Sequence, residues 1–126
     1  MILKNNLYHI VSQSSLADEQ ATYSVVLHAD SPIYAAHFPG MPVTPGVCLL
    51  MLGKELLADA TGCQLRLVEV KNAKFLSVVS PVTDEQVNCT LRKVVKDDAL
   101  HEVEAQITIS TDIETKAKLS IKCRWS

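Results

Sequence analysis

Residues 37–46, with the sequence HFPGMPVTPG, place one histidine in a loop that also contains three prolines and two glycines. A proline fixes its own φ and pushes the preceding residue toward extended conformations, so such a loop has little freedom to move. Histidine titrates near neutral pH and can act as a general base. The pattern therefore predicts that His37 is held as a base beside the start of a helix. The alternative is a structural loop in which His37 is simply hydrogen-bonded.

The apolar segment after this loop predicts a helix from about residue 45 to residue 61, ended by Gly62. Thr44 is the expected N-cap. The first amides of a helix have no acceptor within it, and the helix dipole is positive at this end. We therefore expect the amides of Gly46 and Val47 to be available to a ligand oxygen.

The loop resembles the signature of the 3-hydroxyacyl-acyl carrier protein dehydratases of the FabZ and FabA type. Written with x for any residue, that signature is H-F-P-G-x-P-[I or V]-x-P-G-V. The chain matches it at nine positions, namely His37, Phe38, Pro39, Gly40, Pro42, Val43, Pro45, Gly46 and Val47. Residues 70–81, VKNAKFLSVVSP, resemble a strand of the same family more weakly.

The resemblance implies roles for these residues. His37 would be the catalytic base, and the Gly46 amide would bind the thioester oxygen as the oxyanion contact. The substrate-binding positions would be Phe38, Pro39, Gly40, Val47 and Met51. Ile33 and Tyr34 are further candidates to line an acyl tunnel, with ordinary loop packing as the alternative.

One departure limits what the resemblance implies about activity. The family has a glutamate or aspartate fourteen residues after the histidine, whereas this chain has Met51. Met51 cannot donate a proton, and the loss of a general acid typically costs about 10²- to 10⁴-fold in rate. Glu55 lies one helical turn further along the same face and is the candidate replacement acid.

Three functions are compatible with this pattern. The first is a dehydratase-like lyase of fatty acid or related lipid biosynthesis, acting on 3-hydroxyacyl thioesters of acyl carrier protein or coenzyme A. The second is a non-catalytic acyl-thioester-binding subunit of a hetero-oligomer, in which a related chain supplies the carboxylate. The third is an acyl thioesterase, in which Glu55 or a group of the partner activates water. We expect the first.

Length and pattern predict one α+β domain spanning residues 1–126, because 48% hydrophobic residues in a chain of this size can fill one core. Gly53, in the middle of the helix, costs about 1 kcal/mol relative to alanine, so a neighbour should pack closely there. The first half of the helix is apolar all round, which predicts a helix enclosed by protein. Strand-like segments cover residues 7–14, 23–28, 65–76, 86–95, 101–110 and 116–125.

This pattern agrees with the hotdog fold that the resemblance implies, in which an antiparallel sheet of five or six strands wraps one long central helix. The resemblance also implies subunits paired edge to edge, as a homodimer or a trimer of dimers, with active sites across the interface. Lys71 and Lys74 lie near the family-like strand, but exposed lysines on an edge strand commonly serve solubility alone.

Composition argues against several other classes. A net charge of −2 gives no reason to expect a nucleic acid or an anionic membrane as partner. The longest apolar run, residues 47–52, is too short to span a bilayer, and the N-terminus lacks a signal-peptide core, so we expect a cytoplasmic protein. The cysteines and the other histidines lack ligand spacing, so no metal or cofactor is expected: Cys48, Cys63, Cys89, Cys123, His9, His28 and His101.

Overall fold

The structure, a computed structural model, describes residues 2–36 and 40–126. Its elements follow the chain in the order β1 (Tyr8–Gln13), β2 (Ala21–Leu27), α1 (Pro32–Ala36), α2 (Gly46–Thr61), β3 (Arg66–Phe75), β4 (Gln86–Asp97), β5 (Glu102–Ser110) and β6 (Thr115–Arg124).

The strands form one six-stranded antiparallel sheet in the order β1-β2-β4-β5-β6-β3. Strands β1 and β3 are the edges of this sheet, and α2 is the one long helix among the described residues. The expected α+β arrangement, a sheet around a central helix, is therefore confirmed. The residues KDDA at positions 96–99 predict a hairpin turn. The turn begins two residues later, because β4 continues to Asp97. The short helix α1 has no counterpart in the sequence prediction.

The core lies between α2 and the inner face of the sheet. Alternate residues of β4, β5 and β6 are buried against the helix, as the period-two pattern predicts. Gly53 sits at the closest crossing, since a β-carbon there would lie 2.7 Å from Cδ1 of Ile107. The sequence prediction of a close neighbour at Gly53 is confirmed.

Helix α2 ends as expected but begins differently. Gly62 has a φ of 71°, and its amide donates to the carbonyl of Ala58, which closes the last turn. At the other end Pro45 occupies the N-cap position, and no side chain caps the helix. The prediction that Thr44 is the N-cap is wrong, because the Thr44 hydroxyl is hydrogen-bonded to Tyr34 instead.

Apolar side chains remain exposed along one side of the isolated chain. Val47, on the second residue of α2, is 64% exposed, so the prediction of a helix enclosed all round does not hold for a single chain. Phe75 at the end of β3 is 50% exposed, and Val78 in the following loop is 62% exposed. Within the described residues, no helix is long and apolar enough to cross a membrane.

Candidate active site

Three residues of the matched loop, His37, Phe38 and Pro39, lie outside the residues that the structure describes. The base and two of the substrate-binding positions therefore stay predictions. The next loop residue, Gly40, is exposed and has a φ of 94°, a backbone conformation that side chains with a β-carbon rarely adopt.

A buried hydrogen bond joins the two chain segments that flank the loop. The hydroxyl groups of Tyr34 in α1 and Thr44 before α2 lie 2.9 Å apart. Burial raises the pKa of Tyr34, and the side chain belongs to the core, which is the packing alternative to a tunnel lining. The Thr44 amide in turn donates to the carbonyl of Val79 at 2.7 Å. The start of α2 is thus fixed both to α1 and to the loop after β3.

A cavity of about 350 Å³ opens at this end of α2. Aliphatic and aromatic side chains dominate its lining, as in sites that bind hydrocarbon groups. The lining residues are Val43, Thr44, Gly46, Leu49, Phe75, Leu76, Ser77, Val78 and Val79. Most of them come from two short stretches, the start of α2 and the chain that leaves β3.

Two backbone amides at this end of the helix have no acceptor among the described residues. Among residues 2–36 and 40–126, neither the Gly46 nor the Val47 amide donates a hydrogen bond. Gly46 itself lines the cavity. A carbonyl oxygen bound there would meet N–H donors at the positive end of the helix dipole, which is the arrangement that stabilises a developing oxyanion.

Met51 and Glu55 have different surroundings on α2. Met51 is partly buried and packs against the core. The Glu55 carboxylate accepts hydrogen bonds from the amides of Leu3 and Lys4, at 2.8 and 2.9 Å, and from the Tyr8 hydroxyl at 3.0 Å. These bonds anchor the N-terminal segment, a role that sequence reasoning missed because its partners lie about fifty residues away. The proposed acid role of Glu55 stays a prediction, and these contacts weigh against it.

An ion-pair network centred on the buried Lys116 holds the loop that lines the cavity. Lys116 lies 3.3 Å from Asp84 and 2.7 Å from Glu114, and its hydrogen bond to Glu114 is the main cause of its raised pKa. Asp84 also accepts the amide of Ser80 at 3.1 Å. The adjacent acidic residues Asp84 and Glu85 predict a solvated turn. That prediction is wrong for Asp84, because its carboxylate lies against the buried Lys116.

None of the titratable side chains among the described residues lines the cavity. Lys71 pairs with Glu104 at 3.0 Å, and this contact lowers the pKa of the Glu104 carboxyl. Cys48 is buried in the core, and this burial raises the pKa of its thiol. In the part of the chain that the structure describes, no group of three or more histidine, cysteine or acidic residues could hold a metal ion. His9 and His28 do lie together, however, with Nδ1 of His9 2.7 Å from Nε2 of His28.

Comparison with known proteins finds a family whose model matches most of this chain. A family model described as ApeI-like, for the ApeI dehydratase, matches residues 12–118. No curated protein sequence gives a significant match.

Solved structures with similar folds include a dehydratase and two other proteins. The dehydratase heterocomplex ApeI:P from Xenorhabdus doucetiae is 17% identical, covers 91% of this chain and 96% of its own, and has a TM-score of 0.67. A hypothetical thioesterase with coenzyme A from Streptococcus pneumoniae is 10% identical over 94% and 85% of the two chains, with a TM-score of 0.65. The E. coli PaaI protein of the phenylacetic acid degradation operon is 15% identical over 94% and 79%, with a TM-score of 0.62. At these identities the likeness shows the fold alone, and that fold is the hotdog fold.

Proposed function

The chain belongs to the ApeI-like dehydratase family, and we propose that it dehydrates 3-hydroxyacyl thioesters to trans-2-enoyl thioesters. The observation that carries this proposal is the apolar cavity at the start of α2, which is lined by Gly46 and lies next to two amides without an acceptor among the described residues. The cavity suits an acyl chain, and the amides suit its thioester carbonyl. The match of the HFPG loop supplies the base.

In the proposed reaction, His37 removes the α-proton while the Gly46 amide donates to the thioester oxygen, which gains negative charge. The electron pair of the broken C–H bond forms the double bond between the α- and β-carbons, and the C–O bond at the β-carbon breaks. The imidazolium of His37 then returns its proton to the departing hydroxide, which leaves as water. Because Met51 cannot assist this departure, we expect slow turnover for the chain acting alone.

We propose a homodimer, or a trimer of such dimers, as the working assembly. Among the described residues, strand β3 is an edge that pairs with β6 on one side only, and its apolar Phe75 is half exposed. Val47 on the adjacent start of α2 is also exposed. Pairing two β3 edges would cover these side chains and bring the cavity of one subunit near the loop of the other.

A second candidate is a binding subunit of a mixed assembly. The ApeI:P structure is described as a dehydratase heterocomplex, and Met51 leaves this chain without the carboxylate that a related partner could supply. We rank a thioesterase third, because Glu55 is hydrogen-bonded to the N-terminal segment and so is poorly placed to activate water. In this proposal the acyl group is carried by acyl carrier protein or by coenzyme A. The reaction belongs to the synthesis of fatty acids or related lipids, and the protein is cytoplasmic.

The test is interconversion of 3-hydroxyacyl and trans-2-enoyl thioesters by the purified protein, followed by enoyl absorbance with both carriers. His37→Ala should abolish turnover, whereas His101→Ala, a histidine stacked on Trp125, should leave it unchanged. No turnover by a folded dimer would overturn the dehydratase proposal for the isolated chain. Turnover on adding a related hotdog chain would then support the binding-subunit alternative.

A further inference from the structure

His9 and His28 form a cross-strand pair outside the candidate active site. His9 lies on β1, opposite Val26 of β2, and His28 is the first residue after β2. Nδ1 of His9 and Nε2 of His28 are 2.7 Å apart. His9 is exposed and His28 is partly exposed, so both rings are accessible from solvent.

Within the described part of the chain, neither ring has a hydrogen bond to a side chain other than its partner histidine. The backbone of His28 is well fixed, since its amide donates to the carbonyl of Leu7 at 2.7 Å and its carbonyl accepts the amide of Ser31 at 3.0 Å. The pair therefore combines fixed backbone positions with two rings that, among the described residues, are hydrogen-bonded to each other.

We propose that His9 and His28 form a two-histidine site for a late first-row divalent metal ion, such as Ni²⁺, Cu²⁺ or Zn²⁺. At 2.7 Å the two nitrogens share one proton, which one ring donates and the other accepts. A metal ion takes the place of this proton. The donor ring then carries its proton on the outer nitrogen instead, and both facing nitrogens coordinate as neutral imidazoles.

The ring positions already suit this chelate. With metal–nitrogen bonds of about 2.0–2.1 Å, two imidazole centroids lie about 4.5 Å apart at a right angle and about 5.2 Å apart at a tetrahedral angle. The observed separation of the centroids is 5.0 Å, with an interplanar angle of 40°. Rotation of the two rings is therefore enough, and the strands need not move.

Two protein ligands define an open site of moderate affinity. Among the described residues, no third histidine, cysteine or carboxylate completes the set, so water or an added ligand fills the other positions. Imidazole nitrogen is a suitable ligand for copper, nickel and zinc ions. We expect Cu²⁺ to bind more tightly than either Ni²⁺ or Zn²⁺. Binding joins β1 to the segment that leads into α1, so it should raise the thermal stability of the folded chain.

The experiment is isothermal titration calorimetry of the full chain with NiCl₂ and with ZnCl₂ at neutral pH. The melting temperature is measured in parallel. We expect one ion per chain, a higher melting temperature with metal, and binding at least about 10-fold weaker in His9→Gln and in His28→Gln, because each variant loses one of the two ligands. His101→Gln, His37→Ala and Cys63→Ser are the controls and should bind as the wild type does. Unchanged binding in His9→Gln, or loss of binding only in a control, would overturn the proposal.

A second measurement uses the unaltered protein, so it does not depend on how the variants fold. Substoichiometric Ni²⁺ should broaden the imidazole proton signals of His9 and His28 before those of His101. If the His101 signals broaden first, or if all histidines broaden together, the site is not the one proposed.

Discussion

The ring of Phe75 lies directly against Gly46. A β-carbon on Gly46 would be 3.0 Å from Cζ of Phe75 and 3.3 Å from each of its Cε atoms. These separations are shorter than ordinary contacts, so the first residue of α2 and the last residue of β3 fit together only because Gly46 has no side chain. The contact places the wall of the cavity beside the amide proposed to bind the thioester oxygen.

Gly46→Ala should therefore displace the Phe75 ring and disturb this amide. We expect a fall of about 10²-fold in kcat/KM, as for a misplacement of about 1 Å in a catalytic site. The cost in stability should be only about 1 kcal/mol, because the half-exposed ring can move outward. The double variant Gly46→Ala with Phe75→Leu should recover the stability. Unchanged kcat/KM in Gly46→Ala would argue against the oxyanion role.

The hydrogen bonds of Glu55 predict that replacing it lowers the stability of the fold and leaves dehydration intact. Glu55→Gln weakens three contacts to the N-terminal segment, so urea denaturation should show a loss of about 1–3 kcal/mol in the free energy of unfolding. Dehydration should persist in the folded fraction. Glu85→Gln, at an exposed position, is the matched control and should be near neutral. Glu55 is the replacement acid after all if dehydration disappears while stability is unchanged.

Met51→Glu tests whether the missing acid is the main limit on turnover. The change places a carboxyl group at the position where the resemblance to the FabZ and FabA signature implies one, so kcat should rise by about 10²- to 10⁴-fold. Met51→Gln has a similar size but no acidic proton, and it should give little gain. Equal rates in the two variants would mean that another feature limits the reaction, and would favour the binding-subunit alternative.

Local patterns in the sequence predict most of the fold and only part of the site. Local composition and spacing predict α2 and six strand segments, with clear apolar alternation in the last three, because helices and strands follow the spacing of a few neighbouring residues. The roles of Glu55 and Lys116 escaped this reasoning, since both depend on partners from other elements. The pairing of His9 with His28 escaped it for the same reason. It depends on the register between β1 and β2, which local spacing does not give.

Gly53→Ala tests the packing of the helix on the sheet. The new methyl group would lie 2.7 Å from Cδ1 of Ile107, a fully buried residue. We expect overpacking of about 1–3 kcal/mol, partly offset by about 1 kcal/mol of improved helix propensity. Ile107→Val removes the clashing atom, so the double variant should be more stable than the sum of the two single effects. A strictly additive double-mutant cycle would contradict the close contact.

Tyr8→Phe should change how stability depends on alkaline pH. Burial, followed by the nearby charge of Glu55, raises the pKa of Tyr8 above its ordinary value of 10.0. Because the folded state holds this proton more tightly than the unfolded state, the Tyr8 contribution is fully present below pH 10 and is lost as the pH rises further. For one such group the free energy of unfolding should fall by about 1.4 kcal/mol per pH unit.

The measurement is urea denaturation at several pH values between 8 and about 11.5. Tyr8→Phe should be less stable than the wild type at pH 8 by about 1 kcal/mol, since it loses the hydrogen bond to Glu55, but its stability should fall less steeply above pH 10. Burial also raises the pKa of Cys89, to about 12, and this adds the same slope to both proteins. Identical slopes in the variant and the wild type would show that the Tyr8 hydroxyl ionises as easily in the folded chain as in the unfolded one.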